Sequence, residues 1–327
     1  MSLLTIEDLR VRLPVGKQHR TVLRGIDLEV GVGEAVAVVG ESGSGKSMTA
    51  RSIARLLPSR AETSGRIEFD SRNVLDLRGA ALRSYQSSEL AMIFQDPRVH
   101  LNPVRTIGDF LTEGLIANFG VKRAVAERRV VQQLAEVGIP DGERRLRQYP
   151  HQLSGGLLQR VMIAAALVCE PKLLLADEPT TALDVSTQAE VVAILDRLRR
   201  ERGMALIFIS HDLELAAAIS DRIVVMYAGE LVEAQPSESL LADPKHPYSA
   251  GLLAARPDVN RAVERLRAIP GRPLAAFEAP PGCAFSDRCD YTTEECTSTH
   301  PIPTRIAGAT VRCLRARELQ LSVVNSN

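Results

Sequence analysis

The sequence predicts an α/β fold with an antiparallel β subdomain, a helical insert and a small cysteine-rich C-terminal extension. First, a short apolar run at 36–39 passes through a glycine-rich turn into a helical pattern. Second, apolar runs that end on polar residues recur at 89–97, 173–178 and 205–212. Third, apolar and polar residues alternate at 4–13 and 26–30. Short apolar runs between helical segments are typical of a parallel sheet, and alternation with a period of two is typical of half-buried antiparallel strands.

These patterns divide the 327 residues into a core domain and an extension. We expect the core domain to cover residues 1–255 and to contain a helical insert at about 98–165, where apolar residues recur at helical spacing. The extension covers 256–327 and is rich in proline, glycine and cysteine. Its last residues, 319–327, are expected to be frayed.

The composition is that of a soluble globular protein, with 45% hydrophobic residues. Its 40 basic and 40 acidic residues cancel, so the overall charge gives no indication of a nucleic-acid partner. The N-terminus lacks the charged and apolar regions of a signal peptide. The longest apolar runs are much shorter than the roughly 18 to 20 residues that a membrane span needs. We therefore expect a cytosolic chain, unless a partner holds it at a membrane.

The glycine-rich turn has the pattern G-x-x-x-x-G-K-S, formed by Gly40, Glu41, Ser42, Gly43, Ser44, Gly45, Lys46 and Ser47. Its three glycines allow the backbone N–H groups to converge on an anionic oxygen, and the helix that follows, expected from Ser47 to Leu57, adds its positive N-terminal dipole. This spacing predicts a phosphate-binding loop, with Lys46 on the β- and γ-phosphates and the Ser47 hydroxyl on Mg²⁺. The alternative, a flexible glycine–serine linker, does not fit between a buried strand and an amphipathic helix.

Polar side chains follow three of the apolar runs, at the strand ends where α/β sheets bind ligands. Gln95 follows the first run, Asp177 and Glu178 end the second, and His211 follows the third. Asp177 suits Mg²⁺, and Glu178 suits polarising a water for attack on the γ-phosphate. Taken singly, Gln95 is better explained as an exposed surface residue and His211 as a structural histidine.

A second glycine-rich segment, Leu153 to Arg160, opens an apolar helix with Ser154, Gly155 and Gly156. Bare N–H groups, a hydroxyl and the helix dipole are the features of an anion site. A capped loop-to-helix turn would have the same residues. Taken alone, the segment favours the capped turn over the anion site.

Together and in this order, these motifs resemble those of the nucleotide-binding subunit of an ABC transporter: Walker A, Q-loop, LSGGxxQR signature, Walker B, a D-loop at Ala182–Asp184, and the switch histidine. The resemblance covers the predicted core domain and implies a P-loop NTPase fold, ATP as substrate and a head-to-tail dimer. It implies that ATP is bound by residues 40–48 (including Met48), Gln95, Ser154, Gly155, Gly156, Gln159 and Asp184. It also implies that Ser47, Gln95 and Asp177 hold Mg²⁺, and that Glu178, His211 and Lys46 are catalytic.

The loop Pro14–Arg20 departs from this family. Members usually stack the adenine on an aromatic residue just before the second N-terminal strand, but this loop contains no Phe, Tyr or Trp. We expect His19 or Arg20 to stack on the base instead, because planar cationic groups can lie on a base.

The C-terminal extension resembles the tail of the peptide/nickel subfamily of ABC importers, through Lys245–Leu253, Ile269–Pro273 and Pro281–Cys283. Its cysteines have the spacing C-x5-C-x6-C-x16-C, formed by Cys283, Cys289, Cys296 and Cys313. Four thiolates can bind a [4Fe–4S] cluster or a tetrahedral Zn²⁺. The spacing lacks the C-x2-C pairs usual for zinc, and some members of the subfamily carry a cluster, so iron–sulfur is favoured. Disulfides or free thiols are the alternative, and Cys169 is expected to be a small hydrophobic residue in the helix after the signature.

The resemblance implies an ATPase subunit that powers import of peptides or related small solutes. Its expected partners are a second ATPase subunit, two transmembrane permease subunits and an extracytoplasmic solute-binding protein, without nucleic acid. The expected location is the cytoplasmic face of the cell membrane, as a peripheral protein. The alternative is a non-transport ABC ATPase in a soluble multi-enzyme complex of the phosphonate-breakdown type.

Overall fold

The computed structural model describes residues 1–181, 183–255 and 268–321. Three parts of the sequence predictions lie outside the described residues: Ala182 of the D-loop, the start of the extension at 256–267, and the end of the chain at 322–327.

The secondary structure is mixed. In chain order the strands are β1 (Ser2–Val15), β2 (Gln18–Gly31), β3 (Ala35–Val39), β4 (Glu62–Phe69), β5 (Arg72–Asn73), β6 (Leu90–Ile93), β7 (Leu173–Asp177), β8 (Ala205–Ser210), β9 (Arg222–Tyr227), β10 (Glu230–Pro236), β11 (Thr304–Ile306) and β12 (Ala309–Val311). The α-helices are α1 (Lys46–Ile53), α2 (Gly79–Ser84), α3 (Pro97–His100), α4 (Ile107–Phe119), α5 (Arg123–Glu136), α6 (Gly142–Leu146), α7 (Gly155–Leu167), α8 (Val185–Arg202), α9 (Leu213–Ile219), α10 (Ser237–Ala242), α11 (Pro247–Ala254) and α12 (Glu294–Ser298). In the part of the chain that the structure describes, no helix is long and apolar enough to cross a membrane.

The chain forms two compact units. The helical unit consists of Met1, residues 31–34 and residues 76–209. The phosphate-loop unit consists of residues 2–30, 35–75 and the chain from Ser210 onward.

The phosphate-loop unit contains an antiparallel β layer, in which the strand order is β2-β1-β4-β5. β1 pairs with β4 from Leu4 opposite Phe69 to Arg12 opposite Glu62. Leu4, Ile6, Leu9 and Val11 are buried while their neighbours are more exposed, as the alternating pattern predicts. The antiparallel subdomain is therefore confirmed. β1 and β2 are both longer than the alternating runs at 4–13 and 26–30 that predicted them.

A second group of strands in the same unit is built on β9. β3 lies parallel to β9, and β10 is antiparallel to β9. Ala228 and Gly229 have positive φ values of 45° and 79°, as a tight two-residue hairpin turn requires. β12 pairs with β10 and β11 pairs with β12, so strands from the C-terminal extension continue the pairing.

The helical unit contains three parallel strands. Leu90–Ile93 of β6 pair with Leu173–Ala176 of β7, and β7 pairs with β8 from Leu173 opposite Ala205 to Asp177 opposite Ile209. All residues of β7 and β8 are buried, which explains their nearly continuous apolar sequences. Because the strands are parallel, the residues that follow β6 and β7 emerge at one edge. α3 to α7 lie between these two strands in the chain.

The predicted end of α1 is wrong. The helix expected to reach Leu57 ends at Ile53, because Arg55 adopts a left-handed conformation with φ 58°. The Leu56 N–H donates to the Arg51 carbonyl at 2.8 Å, and the Arg55 N–H donates to the Ser52 carbonyl at 3.2 Å. These two bonds form a Schellman motif with arginine in the place that glycine usually takes.

Candidate nucleotide-binding and catalytic site

The phosphate loop lies between β3, whose five residues are all buried, and α1. The Lys46 side chain is buried, and its Nζ donates to the carbonyl oxygens of Gly40 at 2.7 Å and Glu41 at 3.0 Å. These bonds fold the lysine back over its own loop. The loop is therefore curled around the ammonium group, as anion binding by its backbone N–H groups requires.

Two of the loop glycines are required by their neighbours. A Cβ at Gly40 would lie 2.2 Å from the carbonyl oxygen of Met226. Gly45 has φ 106°, and a Cβ there would lie 2.8 Å from Cδ2 of Leu23. The loop is thus packed against β9 and β2 so closely that only glycine fits at these two positions.

Ser44 of the phosphate loop has a buried hydroxyl group. Its Oγ is buried and has no hydrogen-bond partner among the described residues. Its carbonyl accepts the Gly229 N–H at 2.9 Å. A buried hydroxyl without a partner is costly, and an oxygen of a bound phosphate would supply one. The residues present therefore fit a phosphate ligand.

Glu41, at the start of the loop, is held by two residues that sequence reasoning missed. Its N–H donates to Oη of Tyr248 at 2.8 Å. Its carboxylate receives two bonds from the guanidinium of Arg288, at 2.7 and 3.0 Å. The Arg288 side chain is only 4% exposed, and the hydrogen-bonded Glu41 carboxylate raises the pKa of Arg288. Burial raises the pKa of Tyr248. The C-terminal extension thus contacts the phosphate loop directly.

In the helical unit, Gln95 and Glu178 meet at the edge of the parallel strands. The Gln95 Nε2 donates to Oε2 of Glu178 at 2.9 Å, and Oγ1 of Thr181 donates to the same oxygen at 3.0 Å. Glu178 has φ 47°, which is uncommon for a residue with a side chain and is frequent at functional sites. Asp177, the last residue of β7, is buried beside it. Gln95 and Glu178, two of the predicted site residues, are therefore in contact in this unit.

The segment at 153–160 and the D-loop are both helix starts. The Oγ of Ser154 accepts the Leu157 N–H at 3.4 Å, so Ser154 caps α7. Asp184 caps α8, because its carboxylate accepts the backbone N–H of Thr187 at 3.0 Å and its hydroxyl at 2.8 Å. These bonds lower the pKa of Asp184, mainly through the backbone N–H of Thr187.

These two helix starts adjoin each other. A Cβ at Gly156 would lie 2.9 Å from Cγ2 of Thr187, whereas the space around Gly155 is open. Gln159 is buried, and its Nε2 has no partner in the described ranges. Capping is thus established for Ser154 and Asp184, and their binding of ATP stays a prediction.

The predicted site residues are divided between the two units. Residues 40–48 and His211 belong to the phosphate-loop unit, whereas Gln95, Ser154, Asp177, Glu178 and Asp184 belong to the helical unit. His211 is exposed and precedes Asp212, which caps α9 by accepting the N–H groups of Glu214 and Leu215.

The four cysteines of the extension, Cys283, Cys289, Cys296 and Cys313, line one small cavity together with His246 and Phe285. All are free thiols. Burial raises the pKa of Cys283, of Cys289 and of Cys313 to about 11. Within the described residues, no three His, Cys, Asp or Glu side chains are arranged to hold a metal ion. The cavity brings the predicted ligands together without the geometry of a metal centre.

Cys169 differs from its prediction in one respect. It is partly buried, as a small hydrophobic residue would be, but α7 ends at Leu167, so Cys169 lies beyond the helix rather than in it.

Comparisons with known proteins show the family of this chain. Residues 23–181 match the ABC transporter family, and residues 232–296 match the C-terminal region of oligopeptide and dipeptide transporters. The fold and the site define an ABC-type ATPase. The chain belongs to the ABC transporter family of ATP-binding proteins, as its motifs indicated.

The relatives are similar over nearly their whole length. The oligopeptide transport ATP-binding protein OppD of Escherichia coli is 40% identical over 317 residues, which cover 97% of this chain and 94% of the relative. The dipeptide transport ATP-binding protein DppD of Bacillus subtilis is 40% identical, with 95% and 94% covered. A putative peptide import ATP-binding protein of Brucella abortus is 44% identical over 281 residues, with 86% and 85% covered.

Two solved structures show the same fold. One is a dimeric ATP-binding cassette in a post-hydrolysis state with ADP and Pi, with a TM-score of 0.64, 27% identity, and 72% of this chain and 98% of that chain covered. The other is cbiO1 of Clostridium perfringens, part of an ABC transporter complex, with a TM-score of 0.63, 28% identity, and coverage of 73% and 90%.

Proposed function

We propose that this chain powers the import of peptides or related small solutes by hydrolysing ATP. The observation that carries the proposal is its 40% identity to oligopeptide and dipeptide transport ATP-binding proteins over almost the whole chain. In this proposal, residues 1–255 are the ATPase domain and residues 256–327 are the extension. The alternative, a soluble phosphonate-breakdown complex, has no comparable support.

The catalytic roles are distributed as follows. Lys46 and the loop amides neutralise phosphate charge, and His211 contacts the γ-phosphate. Glu178 orients the attacking water, while Gln95 and Thr181 fix its carboxylate through Oε2. Ser47, Gln95 and Asp177 offer hydroxyl, amide and carboxylate oxygens, which are the ligands that Mg²⁺ prefers. When bound, Mg²⁺ supplies positive charge to the β- and γ-phosphate oxygens.

The two anion sites of one chain belong to two different ATP sites of a dimer. The phosphate loop of one subunit would bind ATP, and the Ser154–Gly156 helix start of the second ATPase subunit would cover it. A dimeric relative solved with ADP and Pi supports this arrangement. The dimer would act with two permease subunits and an extracytoplasmic solute-binding protein, as a peripheral protein at the cytoplasmic face of the membrane.

Co-purification from membranes tests the importer function. With a tag on this chain, we expect two membrane proteins and a second ATPase subunit to be retained in mild detergent. The Glu178→Gln variant is the matched control, because it keeps the assembly surfaces and removes only turnover. Recovery of a stable complex with soluble enzymes, without membrane proteins, would favour the phosphonate-type alternative.

The cysteine cavity is further proposed to hold a [4Fe–4S] cluster, with Zn²⁺ as the other candidate. Four thiols that line one cavity are the donor set of either group. The raised pKa values mean that three of the thiols stay protonated at neutral pH unless a cation stabilises the thiolates. Metal binding would therefore release protons and draw the cysteines together.

Anaerobic purification with metal analysis tests this proposal. We expect about four irons per chain and a broad absorbance near about 400 nm. Cys289→Ser should lose both signals, whereas Cys169→Ser, which changes the one cysteine outside the cavity, should keep them. One zinc and no iron would identify a zinc site instead, and a metal-free chain would contradict both assignments.

A further inference from the structure

An aromatic ring and a guanidinium are stacked on each other beside the phosphate loop. The Arg20 Cζ lies 4.6 Å from the ring centroid of Phe277. Arg20 is exposed, and Phe277 is 47% exposed, so both groups are open to solvent. Arg20 belongs to β2, whereas Phe277 belongs to the short 3₁₀ turn Ala276–Glu278 of the C-terminal extension.

Both segments rest on the hairpin turn under the phosphate loop. A Cβ at Gly229 would lie 2.7 Å from Cβ of Ala276 and 2.7 Å from the carbonyl oxygen of Val22. The Gly229 N–H donates to the Ser44 carbonyl at 2.9 Å. Ala276 immediately precedes Phe277, and Val22 is two residues from Arg20. The stacked pair is therefore held next to the end of the loop where α1 begins.

The turn that carries Phe277 is held by hydrogen bonds within the extension. Arg272 donates two hydrogen bonds to the Glu278 carboxylate, at 2.9 and 2.7 Å. The same carboxylate accepts the Ala275 N–H at 3.0 Å. The Arg272 hydrogen bonds lower the pKa of Glu278 to about 2, so this carboxylate is ionised at neutral pH. Phe277 thus lies on a turn that these hydrogen bonds stabilise.

His19, the other expected stacking residue, is engaged elsewhere. Its Nε2 lies 3.2 Å from the carbonyl oxygen of Arg60, and its Nδ1 lies 3.5 Å from Oε1 of Glu62. Arg20 is the member of this loop that lies on an aromatic ring. The loop itself contains no Phe, Tyr or Trp, and the extension places a Phe against it.

We infer that Phe277 and Arg20 form the platform on which the adenine of ATP stacks. The inference rests on the proposed ATP binding at residues 40–48. Nucleobases stack on aromatic side chains and on guanidinium planes, and a solvent-exposed pair of this kind beside a phosphate site matches that chemistry. Stacking depends on the π-face of a base and not on its hydrogen-bonding edge. The platform therefore favours purines over pyrimidines and discriminates weakly between ATP and GTP.

Calorimetry on the full chain with two ligands tests the platform. We expect Phe277→Ala to bind Mg-ATP about 10-fold more weakly or worse, because stacking on one aromatic ring contributes that much per base. Magnesium tripolyphosphate, which has no base, should bind the variant and the wild type equally. Phe277→Trp should restore the ATP affinity, and Arg20→Ala should weaken ATP but not tripolyphosphate.

Phe119→Ala is the matched control, because Phe119 is 45% exposed and lies in α4 of the helical unit. It should leave both affinities unchanged. An unchanged ATP affinity in Phe277→Ala would overturn the platform. An equal loss for ATP and tripolyphosphate would also overturn it, since that result indicates damage to the loop. If the wild-type chain binds ATP no more tightly than tripolyphosphate, the platform is overturned but the proposed ATPase function is not. If the wild-type chain binds neither ligand, the proposed ATPase function is overturned as well.

Discussion

The Glu178→Gln variant should bind ATP with wild-type affinity and lose at least about 100-fold in kcat, the range of a general base. The substitution keeps the size of the side chain and an oxygen that can accept from Gln95 and Thr181, so the local structure is preserved. Only the negative charge that polarises the water is removed. Steady-state ATPase assays together with ATP-binding isotherms measure the two effects separately.

Glu170→Gln is a close control for this experiment. Glu170 lies in the same unit, just before β7 rather than just after it, and its φ of 52° is like that of Glu178. It is exposed, and its substitution should leave kcat unchanged. Normal turnover in Glu178→Gln would contradict the role assigned to Glu178. A parallel loss of ATP affinity would show that the residue binds substrate instead.

Glu41→Ala, which breaks the Arg288–Glu41 ion pair, should destabilise the chain by about 3 kcal/mol, the lower end for breaking a buried ion pair. The pair joins Nη1 and Nη2 of Arg288 to the Glu41 carboxylate at 2.7 and 3.0 Å, and the Arg288 side chain is 4% exposed. Glu41→Ala leaves the buried guanidinium without its carboxylate. Arg288→Met should cost less, because the Glu41 side chain is 23% exposed and water can reach it.

A double-mutant cycle separates this coupling from general damage. The double variant Glu41→Ala/Arg288→Met should be more stable than the sum of the single losses predicts, by about 1 kcal/mol or more. Urea unfolding measures the cycle, and ATP titration of the same variants shows whether the loop loses affinity as it loses its support. In the exposed pair of Arg12 and Glu62, Arg12→Met should cost at most about 1 kcal/mol. Additive losses at Arg288 and Glu41 would show that the pair contributes no coupling.

This pair links the cysteine cavity to the phosphate loop. Arg288 directly precedes Cys289, and its Nε donates to the Pro270 carbonyl at 2.7 Å. The rings of Tyr227 and Phe285 lie beside its guanidinium, and both residues belong to one buried cluster with Tyr248. The extension is therefore packed into the same core as β9 and is part of the support of the loop.

The features that the sequence predicted are those with a local cause. The phosphate loop depends on the spacing of three glycines, Lys46 and Ser47 within eight positions. β7 and β8 are short apolar runs whose residues are all buried. In each case the residues that determine the conformation are neighbours in the chain, so their pattern is visible without the fold.

Two local features were not predicted, although one of them has a sequence signal. Asp184, directly before the helical pattern at 185–202, is a preferred N-cap residue, and the structure shows the cap. The end of α1 was missed for a different reason. A left-handed arginine at position 55 has no sequence signal, because that conformation is normally marked by glycine.

The sequence by itself determined the nucleotide motifs, the strands that carry them and the family. Only the tertiary structure decided how the loop is supported. Glu41 and Arg288 are 247 positions apart, and Gly40 must be glycine because the Met226 carbonyl approaches it. Phe277 reaches Arg20 from the far end of the chain. Such contacts depend on which segments the fold brings together, and neither spacing nor periodicity along one chain records that.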